Sequence, residues 1–430
     1  MSKFIISLVS DGGRDCKYYI DNSEYSGKST VEAIAQYYLS KKETFKILLL
    51  KPESLDEQYS KELVDRLVNY GIERGNVITE EFPVNGYYND KYYDVDNIVT
   101  ADFIFLALHK HVEKGFKEII LDVSRGLNFL ILLTVEAYRR FIVSKEAYSF
   151  SDYRSKSKME SQNLPKFYYI YLTPKDSFNY HIVFENAKAP FFVDYFQNYD
   201  KIPFNFGNNK ELYKNFNFVK EDIIKHVNNC ITTIKRGYAL AFLTVIPWDK
   251  IRKSIDLSYK ELTLDSFKNL LESLTVISEK RKTIKLKMNY PLGNLWIYIN
   301  FLEFLYSIYE KYKDKIVVEN NRKWVNIETL ENFCENIIKE VFKENSAETI
   351  LANELEYFKR KFNGKNDMYR KGNPSNYQRN FEAHAGLILE FLAEDPINYR
   401  VSYKFGEVLE KNSNKEVTEY INDFLKIWKK

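Results

Sequence analysis

The first 185 or so residues alternate short apolar runs with stretches of helical periodicity, and this alternation constrains the fold most strongly. Apolar runs typical of buried strands lie at residues 4–9, 45–50 and 119–123, and helical spacing is found at 30–39 and 129–143. Continuous apolar strands that alternate with helices form a mostly parallel sheet with helices on both faces. The sequence therefore predicts an α/β, Rossmann-like N-terminal domain.

Two polar segments follow predicted strands at the sheet edge where ligands of such folds bind. The first is Ser10, Asp11, Gly12, Gly13 and Arg14, and the second contains Ser124, Arg125, Gly126 and Asn128. In the second, a hydroxyl, a guanidinium and an amide surround a glycine, which lets the backbone approach a ligand. The N-terminus of the next helix would then face a phosphate. The alternative is an ordinary strand-to-helix turn with serine and asparagine caps.

Two other patterns resemble known sites only in part. Residues 26–29 (SGKS) look like the end of a P-loop, but Asn22 stands at the position of its leading glycine and no strand is predicted directly before them. The final serine and Glu32 predict a helix capping box instead. His109 and His111 diverge on a helix and have no carboxylate or cysteine nearby in sequence, so we expect no metal site.

From about residue 190 the strand pattern stops and helical periodicity continues to the C-terminal region. A chain of 430 residues is too long for one ordinary core. We therefore predict a ligand-binding α/β domain at 1–190, an all-α helical connector at 191–290 and a helical domain at 291–430.

Charge and cysteine content limit the class of protein. The net charge is +3, from 63 basic and 60 acidic residues, which excludes a broad coat for polyanions but permits a local basic cleft. Cys16, Cys230 and Cys334 are far apart and lack metal-ligand spacing, as a reducing cytoplasm allows. The N-terminus is typical of a first strand, and no apolar stretch reaches membrane-spanning length. We expect a cytoplasmic protein with no membrane partner.

Near the C-terminus, Arg379 and His384 combine two groups that can cleave RNA without a metal. Imidazole moves protons near neutral pH, and guanidinium holds phosphate. A capping box at residues 375–378 predicts a helix around both. Five residues advance about 7.5 Å and turn about 140°, so one helix does not assemble the site and a second helix is needed. The alternative is a histidine at a packing surface and an arginine in solvent.

These motifs together resemble a known family. The pattern Arg379-Asn380-x-x-x-His384 resembles HEPN ribonucleases, and Asp122-x-Ser124-x-Gly126-x-Asn128 resembles the ligand motif of CARF (CRISPR-associated Rossmann fold) domains. In this order they look like a CARF–HEPN effector ribonuclease of type III CRISPR systems. One departure is Ser124-Arg125-Gly126, where relatives often have Thr-His-Gly. The hydroxyl is kept, whereas any role of a histidine there is put in doubt.

The resemblance implies a homodimer or higher oligomer and an allosteric activator, cyclic oligoadenylate, with cyclic tetra-adenylate the expected form. It implies no cofactor and no metal. The HEPN domains of two subunits would form one site that cleaves single-stranded RNA in antiviral defence. His384 would act as general acid–base and Arg379 would stabilise the charged phosphate. Asn380 would orient the phosphate or the histidine.

Two rival interpretations come from other classes of protein. One is a non-catalytic nucleotide-sensing regulator or DNA-binding protein with a helical dimerisation domain. The other is a metabolic α/β enzyme with such a domain. No predicted helix has the dense basic face of a DNA reader, and no acid–base or metal constellation stands at the strand ends.

Overall fold

A computed structural model describes most of the chain up to residue 404. The described residues are 2–11, 13–88, 90–112, 115–124, 126–151, 165–187, 223, 225–286, 292–320, 322–364, 383–387 and 392–404.

Strands and helices alternate through the first part, and short strands return later. The strands are β1 (Ser2–Leu8), β2 (Cys16–Ile20), β3 (Ser23–Gly27), β4 (Thr44–Pro52), β5 (Val77–Phe82), β6 (Gly86–Tyr88), β7 (Lys91–Asp94), β8 (Glu118–Asp122), β9 (Lys166–Asp176), β10 (Asn179–Asn186), β11 (Thr275–Ser278), β12 (Arg281–Ile284), β13 (Ile316–Glu319), β14 (Arg322–Asn326), β15 (Leu392–Asp395) and β16 (Arg400–Tyr403). The helices are α1 (Thr30–Ser40), α2 (Glu57–Asn69), α3 (Asn97–His111), α4 (Asn128–Ser151), α5 (Lys225–Lys235), α6 (Ala239–Thr244), α7 (Trp248–Glu261), α8 (Leu264–Ser273), α9 (Leu292–Lys313), α10 (Ile327–Phe333) and α11 (Asn345–Phe362).

The main sheet has the strand order β3-β2-β10-β9-β8-β1-β4-β5. Strands β5, β4, β1, β8 and β9 run parallel to one another. Strand β10 is antiparallel to β9 and parallel to β2, and β3 is antiparallel to β2. The chain builds outward from β1 on one side and then crosses to β8 on the other, so the order reverses between β1 and β8. This arrangement confirms the mostly parallel, Rossmann-like sheet expected from the sequence.

Helices cover both faces of this sheet because β1 is apolar on both. Phe4 and Ile6 belong to one buried cluster with residues of α3 and α4, and Ile5 belongs to a second with residues of α1 and α2. Successive side chains of a strand point to opposite faces. A continuous apolar run is therefore what a strand needs between two helical layers.

The expectation that the second half is all-α is wrong. Strands β11 and β12 form a hairpin, and β12 pairs in parallel with β7 of the N-terminal part, where Thr283 lies opposite Asp94. A separate sheet has the order β13-β14-β16-β15. These strands are four or five residues long, too short to show a period of two, and several of their residues are charged.

Helix α9 joins the two halves of the chain through one buried carboxylate. Both oxygens of Asp102, on α3, accept hydrogen bonds from the first amides of α9, those of Leu292 at 2.7 Å and Gly293 at 3.0 Å. Asp102 is fully buried, and burial raises its pKa to about 7. A Cβ on Gly293 would lie 3.1 Å from Cδ of Arg140 and 3.2 Å from Cγ of Phe105. The helix end therefore fits tightly against α3 and α4.

One apolar cluster continues from the sheet through α9 to α11. The domain limits predicted at residues 190 and 290 stay a prediction.

Within the described ranges, none of the helices combines the length and the hydrophobicity that a membrane span needs.

Candidate functional sites

A pocket opens where the strand order reverses, at the carboxyl ends of β1 and β8. Ser7 and Asp122 line it from the two strands, and Ser10 and Gly13 line it from the segment after β1. The start of α1 adds Lys28, Ser29 and Thr30, and α2 adds Tyr59, Glu62 and Arg66. Ligands of open α/β sheets bind at this position.

Asp122 organises the floor of the pocket. It is buried, with 3% exposure, and its Oδ2 accepts from the Ser7 hydroxyl at 2.9 Å. Its Oδ1 accepts from the Ser124 amide at 3.0 Å and from the Ser124 hydroxyl at 2.5 Å. The hydroxyls of Ser124 and Thr30 share a hydrogen bond at 2.6 Å. A chain of hydroxyl groups thus connects β1, β8 and the start of α1.

A second buried carboxylate supports the pocket wall. Glu32 is fully buried on α1 and accepts from the Ser29 hydroxyl at 2.7 Å and from Arg66 Nε at 3.0 Å. The helix begins after Ser29, as the capping box predicts, but the serine hydroxyl bonds the Glu32 side chain and not a backbone amide. The expectation that no strand precedes residues 26–29 is wrong, because β3 ends at Gly27.

Side chains of both signs line the pocket. Lys28 and Arg66 are basic and Glu62 and Asp122 are acidic, and Arg66 is paired with Glu32. The first amides of α1 add the positive end of the helix dipole, where a phosphate can bind. The Ser10 hydroxyl adds a donor, whereas the hydroxyls of Ser29 and Thr30 donate to Glu32 and Ser124 and offer a ligand their lone pairs. A ligand with phosphates and hydroxyl groups suits this lining.

The structure brings together some of the predicted ligand residues. Ser10 and Gly13 line the pocket, and Ser124 lies one hydrogen bond from Thr30. Asp11, Arg14, Gly126 and Asn128 are exposed nearby along the chain and are not part of the lining. Gly126 has a φ of +129°, and a Cβ there would lie 3.2 Å from Cδ1 of Leu8. Gly12 and Arg125 lie outside the described residues.

Sequence reasoning missed Lys28, Thr30 and Arg66. Lys28 belongs to the segment at 26–29 that resembles a P-loop and Thr30 directly follows it, so a signal was present but indicated another class of ligand. Arg66 reaches the pocket through its contact with Glu32, 34 positions earlier, which no local pattern shows.

His384, the candidate catalytic histidine, lies in a turn. Ala383 is helical but His384 is not, and Ala385 and Gly386 have positive φ angles of 47° and 77°. The Leu387 amide donates to the His384 carbonyl at 2.8 Å and closes the turn. The expectation that a helix surrounds His384 is wrong, because this residue stands in a turn, and the predicted capping box at 375–378 lies outside the described residues. A residue with positive φ stops a helix, and Gly386 adopts such a φ at little cost.

The imidazole of His384 is held by an acidic residue of α11. Its Nδ1 lies 2.9 Å from Oε1 of Glu354, and the two side chains are 26% and 14% exposed. Arg379 and Asn380 lie outside the described residues, so their position relative to His384 stays a prediction. Glu354, 30 residues earlier, gave no sequence signal.

His109 and His111 contact different partners on opposite sides of α3. His109 Nε2 lies 3.0 Å from the Ser144 hydroxyl, and its ring stacks on Trp296 with centroids 4.5 Å apart. Burial lowers the pKa of His109 well below its usual value. His111 Nε2 lies 2.7 Å from Oε1 of Glu80. Both rings therefore serve the packing around α3.

Comparison with known proteins identifies the N-terminal part. A search of curated proteins found no match. Residues 5–163 match a family model described as the CARF domain of the CRISPR system endoribonuclease Csx1. The matched residues include residues 5–8 of β1, all of β4 and β8, and the lining of the pocket. The part of the chain that carries the pocket is therefore similar to the CARF domain of Csx1, and the chain is Csx1-like in this domain.

Proposed function

We propose that this chain is an endoribonuclease of type III CRISPR defence that a cyclic oligoadenylate activates. The observation that carries the proposal is the polar pocket at the β1–β8 switch point, beside the N-terminus of α1 and inside the residues that match the Csx1 CARF domain. CARF domains bind cyclic oligoadenylate as an allosteric effector.

The pocket would bind the messenger through its phosphates and ribose hydroxyls. Lys28 and Arg66 supply charge, and Thr30 and Ser124 supply hydroxyl groups on either side of the switch point. In a homodimer, two such pockets would face one cyclic ligand. Cyclic tetra-adenylate is the activator that we expect.

The proposed chemistry uses the nucleophile that RNA itself carries. The 2′-oxygen attacks the adjacent phosphorus, the bond to the 5′-oxygen breaks, and the products are a 2′,3′-cyclic phosphate and a 5′-hydroxyl. His384 would accept the proton of the 2′-hydroxyl or donate one to the leaving oxygen, a contribution of about 10² to 10⁴ in rate. Arg379 would stabilise the charged phosphorane through paired hydrogen bonds, and Asn380 would orient the phosphate or the imidazole.

Pairing of two chains would complete the RNA site with a second Arg379 and His384. Messenger binding can activate this site only by favouring one global arrangement of the dimer over another. The proposal places the enzyme in the cytoplasm, with single-stranded RNA as substrate and without a membrane partner.

The test is RNA cleavage by the purified chain with and without cyclic tetra- or hexa-adenylate, in EDTA. We expect cleavage of single-stranded RNA only with a messenger, and loss of at least 10²-fold in His384→Ala and Arg379→Ala. Messenger binding to these variants, measured by calorimetry, should stay unchanged.

Each part of the proposal has its own contrary outcome. Full activity of His384→Ala would contradict the catalytic assignment, and indifference to every cyclic oligoadenylate would contradict the regulation. Messenger binding without any cleavage would favour the alternative, a nucleotide-sensing regulator.

A further inference from the structure

The contact between Glu354 and His384 is built by two elements that are each anchored independently. Leu351, Leu355 and Phe358 of α11 are fully buried, and they fix the helix face beside Glu354. On the other side, Ala385 and Leu387 are buried and hold the turn. The 2.9 Å contact thus joins two well-packed backbones.

Neighbouring charged groups pair with one another. Lys361 lies two turns after Glu354 on the same face of α11, and it bonds Glu394 of β15 at 2.7 Å. Tyr403 of β16 donates to the Gly386 carbonyl at 3.3 Å. Among the described residues around the turn, these contacts occupy Lys361, Glu394 and Tyr403, while Glu354 Oε1 is directed at the imidazole.

We propose that Glu354 is a positioning residue that holds the His384 imidazole with its proton on Nδ1. A carboxylate that accepts from Nδ1–H selects one tautomer and one ring orientation, and makes the opposite nitrogen the better base. Nε2 then becomes the nitrogen that exchanges a proton with RNA. The inference rests on the proposed function of His384 and adds an element that the Arg379–His384 motif does not contain.

The contact also explains why His384 can work from a turn. A histidine in a loop samples several rotamers, and a general acid–base must lie within about 3 Å of the atom that it protonates. An anchored carboxylate removes that rotational freedom, as packed supports do in other active sites. Loss of the acceptor that orients a metal-bound histidine typically reduces activity about 10- to 100-fold, and we expect a loss of the same order here.

The test compares Glu354→Gln and Glu354→Ala with the wild type and with His384→Ala. The control is Glu356→Gln, which removes an exposed carboxylate of the same helix that pairs with Arg360 at 3.1 Å. Histidine-selective ¹⁵N NMR reads the tautomer directly. The chain has five histidines, so the signal that His384→Ala removes identifies His384.

We expect the neutral wild-type imidazole to carry its proton on Nδ1, and Glu354→Ala to shift it toward Nε2. Messenger-activated cleavage should fall about 100-fold in Glu354→Ala and about 10-fold in Glu354→Gln, which keeps an acceptor oxygen but loses the charge. In Glu354→Gln the acid limb of the pH–rate profile should move to lower pH, because a neutral amide no longer favours the imidazolium. Glu356→Gln should match the wild type in all three measurements.

An unchanged tautomer in Glu354→Ala, or unchanged pH–rate profiles in both Glu354 variants, would overturn the positioning role. Equal cleavage by wild type and His384→Ala would instead contradict the proposed function. Thermal unfolding and messenger affinity report whether each variant folds, and Glu354→Gln keeps the test valid if Glu354→Ala does not.

Discussion

Replacement of Asp102 by asparagine tests the buried link between α3 and α9. The carboxyl is fully buried against two amides of α9, and its pKa is raised by burial to about 7 from an ordinary value near 3.8. Desolvation disfavours the charged form, although the two amide hydrogen bonds oppose this effect. Between about pH 4 and pH 7 the folded protein therefore keeps a proton that the unfolded chain has released.

The sign of the pH dependence follows from this difference in bound protons. Since the folded state binds more protons in this window, the free energy of unfolding falls as pH rises through it, by about 1.4 kcal/mol per unit. Asparagine does not titrate. From pH 5 to pH 7 the stability of Asp102→Asn should therefore rise relative to the wild type by about 2 kcal/mol. Asparagine has one acceptor oxygen fewer, which lowers the free energy of unfolding by about 1 kcal/mol or more at every pH. Only the variation of the stability difference with pH therefore reports the titration of Asp102.

The assay is urea unfolding of both proteins, followed by circular dichroism, at half-unit steps from pH 5 to pH 8. Asp56→Asn is the matched control, because Asp56 also accepts from a helix amide, at 2.9 Å, but is exposed to solvent. A stability difference between Asp102→Asn and wild type that stays constant across this range would refute the reasoning. It would mean that the amides of α9 keep the carboxylate ionised despite its burial.

Three further substitutions test other contacts. Gly237→Ala should lower the free energy of unfolding by about 3 kcal/mol, measured by urea denaturation, because φ is +73° and the new Cβ would lie 2.8 Å from the Ala347 carbonyl oxygen; Gly364→Ala, at φ +76° with no atom within 4 Å, separates the steric part. Arg66→Met should cost about 3 kcal/mol in the same assay by leaving Glu32 buried without its cation, and adding Glu32→Gln should restore most of it; no recovery would contradict the pairing. Thr30→Val should weaken messenger binding about 10-fold in calorimetry, because the hydroxyl that meets Ser124 is lost; an unchanged affinity would place the ligand elsewhere.

The central strands of the fold were predictable because a strand that is buried on both faces has a continuous apolar run in its sequence. Ile5 and Ile6 face opposite helical layers, and Ile47 and Leu48 do the same on β4. Strands at the edge of the sheet lack such a run. In β3, Gly27 is the one buried residue, so its alternation is weak. The pairings of β12 with β7 and of β14 with β16 join strands far apart in the chain, as when Val325 lies opposite Val401, and local patterns cannot encode such partners.

The candidate sites divide in the same way. Ser10 and Gly13 were found because a rule places ligands after strands of a parallel sheet. The Glu32–Arg66 and Glu354–His384 contacts span 34 and 30 residues and follow only from the packed structure. Gly386 was a visible signal for a helix end, and the prediction of a helix around His384 did not take it into account.

The pairing of β12 with β7 has a consequence for how such a sensor can be recombined with other effectors. In the sheet with the order β11-β12-β7-β6, strand β7 of the N-terminal part pairs with a hairpin formed by residues 275–284. A chimera cut near residue 190 would leave β7 with an open edge, which invites pairing with other chains. Transplanting the proposed messenger pocket onto a new output domain should therefore succeed only with a junction beyond residue 284. Exchange of effectors on this scaffold is thus constrained by a hairpin that lies far from either site in sequence.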